Sequence, residues 1–201
     1  MYKKLVLWII IFMWIGVCLA EDSLLIDDFE NPIFGGPEGS VDFGSGNGSE
    51  IKVLATEEIK YSGKQAIRVD FKAKEGGYMW VARGFDLDAS NARWLVNPQD
   101  INWSDYYAIS FYMYGTDSKA EVVLDIKDSG SEMRRFLFKD DFSGWKRIIC
   151  PFDKFFVRTD WQPDSSDRNA ILDFPLKSYQ FEILPSAEGT LYFDKVELVK
   201  K

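Results

Sequence analysis

The chain has 201 residues, 46% of them apolar and 16% aromatic, with 24 basic and 32 acidic side chains and no histidine. A net charge of −8 repels phosphate backbones, which argues against nucleic-acid binding. The missing histidine excludes Ser-His-Asp and Cys-His catalysis and histidine metal sites.

Residues 1–20 read as an export signal. Lys3 and Lys4 precede an apolar run from Leu5 to Val17, and Cys18-Leu-Ala20 offers small residues for a cut before Glu21. An uncleaved N-terminal anchor is the alternative, although the run is shorter than the ~20 residues a spanning helix needs. After Ala20 no membrane span is expected. Without Lys3 and Lys4, 22 basic residues face 32 acidic ones, a net charge of −10. Cys150 then stands alone, so no internal disulfide forms, and its place in Arg147-Ile-Ile-Cys-Pro-Phe152 reads as a small buried hydrophobe.

Beyond the signal the apolar pattern alternates with period two and nowhere holds a helical period. Leu25-Ile-Asp-Asp-Phe-Glu30 opens the domain. The stretch from Gly35 to Ser49 holds six of the fifteen glycines and reads as a mobile surface loop. Strands are expected at Ile51–Thr56, through Ile67, Val69 and Phe71, and at Tyr78–Phe85. Residues 88–100 read as a loop with a short helical turn. Further strands run through Ile109, Phe111 and Met113, and through Val122, Leu124 and Ile126. They continue at Met133–Lys139, at Lys146–Pro151, through Phe181 and Ile183, and at Thr190–Val199. The segment Thr159–Asn169 is polar, with one tryptophan. Nine or ten short antiparallel strands in one domain over residues 21–201 specify an all-β sandwich or jelly roll.

Several segments together resemble one family. They are Asp27-Asp-Phe-Glu30, Tyr61-Ser-Gly-Lys-Gln-Ala-Ile-Arg-Val69 and Asp105-Tyr-Tyr-Ala-Ile-Ser-Phe-Tyr-Met-Tyr-Gly115, joined by Phe142-Ser-Gly-Trp-Lys-Arg-Ile-Ile-Cys-Pro-Phe152, Trp161-Gln-Pro and Gly189-Thr-Leu-Tyr-Phe-Asp-Lys-Val-Glu-Leu198. The chain resembles the galactose-binding-like β-jelly-roll modules. The nearest are family 11 carbohydrate-binding modules and complex I intermediate-associated protein 30 domains. The resemblance implies a structural Ca²⁺ where the first strand, the Ser-Gly turn and the last strand converge. Asp28, Glu30 and Asp194 would supply carboxylates, and Ser62 and Lys64 backbone carbonyls, in line with the ion's demand for six to eight oxygens.

It also implies carbohydrate binding through aromatic rings and polar groups on one sheet face. Alternation places Tyr112 and Tyr114 opposite Ile109, Phe111 and Met113, Asp125 opposite Val122 and Leu124, and Gln180 and Glu182 opposite Phe181 and Ile183. Arg135 joins them if Phe136 and Phe138 point inward, and Trp80 is a further aromatic. If these strands share a sheet, the seven residues form a sugar-binding face. Each also has a plainer reading, as a cross-strand pair or a surface ion pair. Trp145 reads as a buried anchor, and Trp161 as either a ligand contact or a packing plug. No carboxylate pair is singled out for glycoside hydrolysis, so the expectation is a non-enzymatic, exported polysaccharide binder. The alternatives are an envelope module binding a protein partner and a small polysaccharide-active enzyme.

Overall fold

A computed structural model of the chain describes residues 22–201; the expected signal lies outside them. Among the described residues twelve strands form two six-stranded sheets in which every pairing is antiparallel. They are β1 (Ser23–Asp27), β2 (Asp42–Gly46), β3 (Glu50–Thr56), β4 (Ala66–Ala73), β5 (Tyr78–Gly84) and β6 (Tyr106–Thr116), then β7 (Glu121–Lys127), β8 (Met133–Lys139), β9 (Ser143–Pro151), β10 (Phe156–Val157), β11 (Ser178–Ile183) and β12 (Ala187–Lys200). The first sheet runs β3-β4-β12-β6-β9, with β1 pairing to the second half of β12. The second runs β10-β8-β7-β11-β5-β2. The first and last strands therefore meet, as the sequence implied.

Among the described residues the only helices are three 3-10 turns, at Pro98–Asp100, Trp103–Asp105 and Phe152–Lys154. The first falls inside the loop where a helical turn was expected. Period-two alternation aims Ile67, Val69, Ile109, Phe111, Leu124, Phe181 and Phe193 into one core between the sheets. Phe136 and Phe138 pack against it from β8. Cys150 is buried there, and burial raises its thiol pKa well above the ordinary value.

The glycine-rich stretch is not wholly a loop, because Asp42–Gly46 forms the edge strand β2. Its glycines answer a steric demand. A Cβ at Gly44 would lie 2.5 Å from the Trp80 ring, and one at Gly46 would run into the Tyr78 ring. Bare backbone lets both rings lie over the strand.

One charged group sits inside the sandwich. Asp27 on β1 takes two bonds from Arg83 on β5, each 2.7 Å, and one from the Tyr179 hydroxyl on β11 at 2.8 Å. Arg83 is 1% exposed. It also donates to the Ser40 carbonyl. Burial works against the guanidinium charge, but Asp27 outweighs it and raises the Arg83 pKa. The cluster joins β1 of the first sheet to two strands of the second.

Candidate functional site

The outer face of the second sheet carries a row with a polar centre. Register places Asp42, Ala82, Gln180, Asp125, Arg135 and Phe156 side by side across β2, β5, β11, β7, β8 and β10. Five strand spacings of about 4.8 Å make this row roughly 24 Å long.

At its centre Asp125 is 0% exposed. Arg135 grips it with two bonds, of 2.8 and 2.9 Å. Arg135 also reaches Glu182 at 2.5 Å. Arg158, from the loop after β10, contacts Asp125 at 3.0 Å and Glu182 at 3.1 Å. It grips Asp160 with a second pair of bonds, of 3.0 and 2.9 Å. The Gln180 amide donates to Asp125 at 3.3 Å. Two guanidiniums and three carboxylates thus hold one another in place, and forked Arg–carboxylate pairs of this kind are the most rigid available. Burial raises the Glu182 carboxyl above its ordinary pKa despite both arginines. Burial pushes Asp160 the same way, but Arg158 outweighs it and holds Asp160 below the ordinary value.

Aromatic rings flank this centre on both sides. On β5, Tyr78 and Trp80 stack at 6.1 Å with 17° between their planes. The Trp80 indole donates to Asp42 at 2.9 Å, which fixes the ring over Gly44. Tyr78 is 48% exposed. On the far side Trp161 is 53% exposed, with the Arg158 guanidinium 5.6 Å from its ring centre. Leu137 on β8 and Phe156 on β10 are exposed on the same outer face.

The sequence reading needs correction in several places. Asp125, Arg135, Gln180, Glu182 and Trp80 do share one face, but Tyr112 and Tyr114 do not. They lie on the outer face of the other sheet, because β6 pairs with β12 and β9. There Tyr61 stacks on Tyr112 at 3.5 Å, and Trp145 stands edge-on to Tyr61 and Tyr114. Trp145 is a half-buried member of that outer cluster, not a core anchor. Asp125 and Arg135 are buried beneath their partners, so they are not a simple surface ion pair. Trp161 is exposed, which rules out a packing plug. Arg158 and Asp160 carry no sequence signal beyond a charged pair just before Trp161.

At the β1–β12 seam the proposed metal ligands lie around the 60–65 turn. Asp194 is buried, and its Oδ2 accepts the Tyr61 and Ser62 amides at 2.8 and 2.9 Å. Its Oδ1 is buried with no hydrogen-bond partner. Burial raises the Asp194 pKa, and Glu30 adds to the rise. Glu30 accepts the Lys64 amide at 2.9 and 3.0 Å, the Lys64 carbonyl accepts the Lys60 ammonium at 2.9 Å, and Asp28 turns back to the Glu30 amide at 3.1 Å. Among the described residues no cluster of three or more His, Cys, Asp or Glu is placed to hold a metal. Any ion here would rest on few carboxylates and on carbonyl oxygens. That donor set suits Ca²⁺ and not a transition metal. The orphan Asp194 oxygen fits such an ion.

Comparison with known proteins follows the same direction. A family model described as a carbohydrate binding domain (family 11) matches residues 18–201. A mannan endo-1,4-β-mannosidase of Bifidobacterium adolescentis is 26% identical over 144 residues, 71% of this chain and 13% of that protein. Endoglucanase H of Acetivibrio thermocellus is 24% identical over 187 residues, 90% of this chain and 18% of that protein. The chain therefore spans less than a fifth of either curated relative. Among solved structures, the family 11 carbohydrate-binding module of the cellulosomal cellulase Lic26A-Cel5E of Clostridium thermocellum superposes with a TM-score of 0.68 at 21% identity, over 90% of this chain and 96% of that one. A family 11 module from the same organism, in complex with a β-1,3-1,4-mixed-linked tetrasaccharide, gives 0.68 at 21%, over 90% and 97%. A family 30 carbohydrate-binding module gives 0.56 at 13%, over 89% and 99%. At these identities the structural matches establish the fold.

Proposed function

The chain belongs to the family 11 carbohydrate-binding domains, and from that premise we propose that it is an exported, non-catalytic binder of β-glucan-type polysaccharide. The glycan lies along the outer face of the β10-to-β2 sheet. One observation carries this placement: Trp80 and Tyr78 are laid over glycine backbone beside a prefixed arginine–carboxylate centre. Ring faces suit the C–H faces of sugar rings, and locked polar groups suit their hydroxyls at little ordering cost. The row of about 24 Å favours a stretch of chain over a single ring. The mixed-linked tetrasaccharide held by a related module makes mixed-linked β-glucan the first ligand to try.

Trp80→Ala tests the placement. Losing the stacked ring should raise Kd for mixed-linked β-glucan about tenfold, or ~1.4 kcal/mol. The melting temperature should fall by only a few degrees, because the ring is half-buried on the outer face and lies outside the core. Affinity electrophoresis and a thermal melt read the two effects. An unchanged Kd would move the glycan elsewhere.

We further propose a structural Ca²⁺ held by Asp194, Glu30 and the Ser62 carbonyl, with the Lys60 ammonium giving up the Lys64 carbonyl to the ion, clipping the first and last strands together. The supporting observation is the unpartnered, buried Asp194 Oδ1. At free calcium 100 times its Kd the gain is about 2.7 kcal/mol. At about 2–4 °C per kcal/mol for a domain of this size, melting should rise by roughly 5–10 °C over the chelated protein. Asp194→Asn retains an acceptor for the turn amides and should abolish the calcium response. Identical melts with calcium and with chelator would leave Asp194 as a turn-capping carboxylate.

A further inference from the structure

A second concave surface lies away from the sheet face. It sits at the end of the sandwich where β6 begins and β9 and β12 end. The cavity measures about 720 Å³. That is within the range of small-ligand sites, roughly 300–1,000 Å³. Its floor is aromatic. Phe174 stacks on Trp103 at 5.1 Å with 24° between planes, and Phe152 meets Phe174 edge-on at 5.2 Å. Trp103 and Phe152 are buried and fixed, the indole donating to the Pro98 carbonyl at 3.0 Å. Phe174 is 39% exposed and turns its ring toward solvent. The Asn102 amide, the Asp153 carboxylate and the Lys201 side chain stand on the rim, all exposed.

We propose that this pocket is a second carbohydrate site, taking one or two sugar rings at a chain end, distinct from the long sheet face. The inference rests on reading the chain as a carbohydrate binder. Three features select the ligand. The exposed Phe174 face offers a stacking surface for a ring's C–H groups. The rim supplies donors and acceptors, the Asn102 amide held in place by Asp105 and Ser104, which match hydroxyls. Asp153 pairs with Lys154 at 3.1 Å, Asp105 accepts the Asn102 amide at 3.0 Å and Lys201 adds an ammonium, so both signs border the cavity and neither singles out a strongly charged ligand. The two 3-10 turns, Trp103–Asp105 and Phe152–Lys154, flank this shallow cavity at one corner of the sandwich, room for a short segment, whereas the sheet face runs across six strands.

Isothermal titration with a mixed-linked β-glucan tetrasaccharide counts the sites. The expected result is two tetrasaccharides per chain. Phe174→Ala, and independently the surface change Asp153→Asn, should reduce the count to one or weaken one site at least tenfold. Retention on long β-glucan, which has few ends, should be unchanged by either. Loss of the pocket event alone, with the Arg135-dependent event intact, supports the proposal. A single event that depends on Arg135 and ignores both pocket variants overturns the second site and leaves the sheet-face reading standing. A single event lost with Phe174→Ala but kept in Arg135→Ala supports the pocket and overturns the sheet face. No binding in the unaltered protein overturns both.

Discussion

Asp27→Ala is expected to destabilise the fold by about 3–5 kcal/mol, the range for breaking a buried ion pair from one side. The substitution removes a small side chain, so little of the loss is packing. What remains is Arg83, 1% exposed, facing the Ser40 carbonyl, the Tyr179 hydroxyl and the Phe29 ring but no counter-charge, and the Tyr179 hydroxyl without its Asp27 acceptor. Urea unfolding measures the effect. Replacing both charges, as Asp27→Leu with Arg83→Met, should recover a large part of it, since an apolar pair of similar volume removes the stranded charge. A loss below 1 kcal/mol in Asp27→Ala would show that water reaches Arg83.

The second large effect concerns recognition. Arg135→Ala should weaken β-glucan binding at the sheet face at least a hundredfold, or ~2.7 kcal/mol, and lower stability as well. It strands Asp125, which is 0% exposed, on Arg158 and the Gln180 amide alone. Arg135→Lys separates two contributions, because an ammonium supplies the charge but not the planar fork. Stability should partly return while affinity stays low. Affinity within threefold of the unaltered protein in Arg135→Ala would contradict the placement.

The same centre has a defined response to pH. The Glu182 pKa in the folded protein lies above its unfolded value because of burial. Its ionisation therefore weakens the fold, and acidification through that pKa adds stability from this group. Asp160 has the opposite sign: its contribution is present above its unfolded pKa and lost as pH falls through its lower folded pKa. On mild acidification Glu182 is accordingly the first of these two to protonate. Glycan affinity should fall before thermal stability does.

The strands facing one core were legible because they alternate strictly. The runs around Ile67, Ile109, Val122 and Phe181 gave β4, β6, β7 and β11 directly, and the matching of the first and last motifs gave the β1–β12 seam. β2 was hidden because its glycines serve Trp80 and Tyr78, rings on a strand more than thirty residues away. The partition into sheets was hidden for a related reason. Alternation fixes which side of a strand a residue takes, but not which strand lies beside it. Tyr112 and Asp125 therefore looked like neighbours and stand on opposite faces of the molecule. Of the candidate sugar-binding residues, the five on β5, β7, β8 and β11 share the face. Arg158 and Asp160, which complete its centre, come from a loop without periodicity, where only the folded contacts identify them.

The most direct test of the glycan's position is an amide and indole NMR titration of the protein with the mixed-linked tetrasaccharide, comparing the two sheets. The account predicts shifts at the Trp80 indole and along the row from Asp42 to Phe156, with the outer face around Tyr61, Tyr112 and Trp145 silent. Shifts confined to that Tyr112 face, with the Asp42-to-Phe156 row silent, would contradict it.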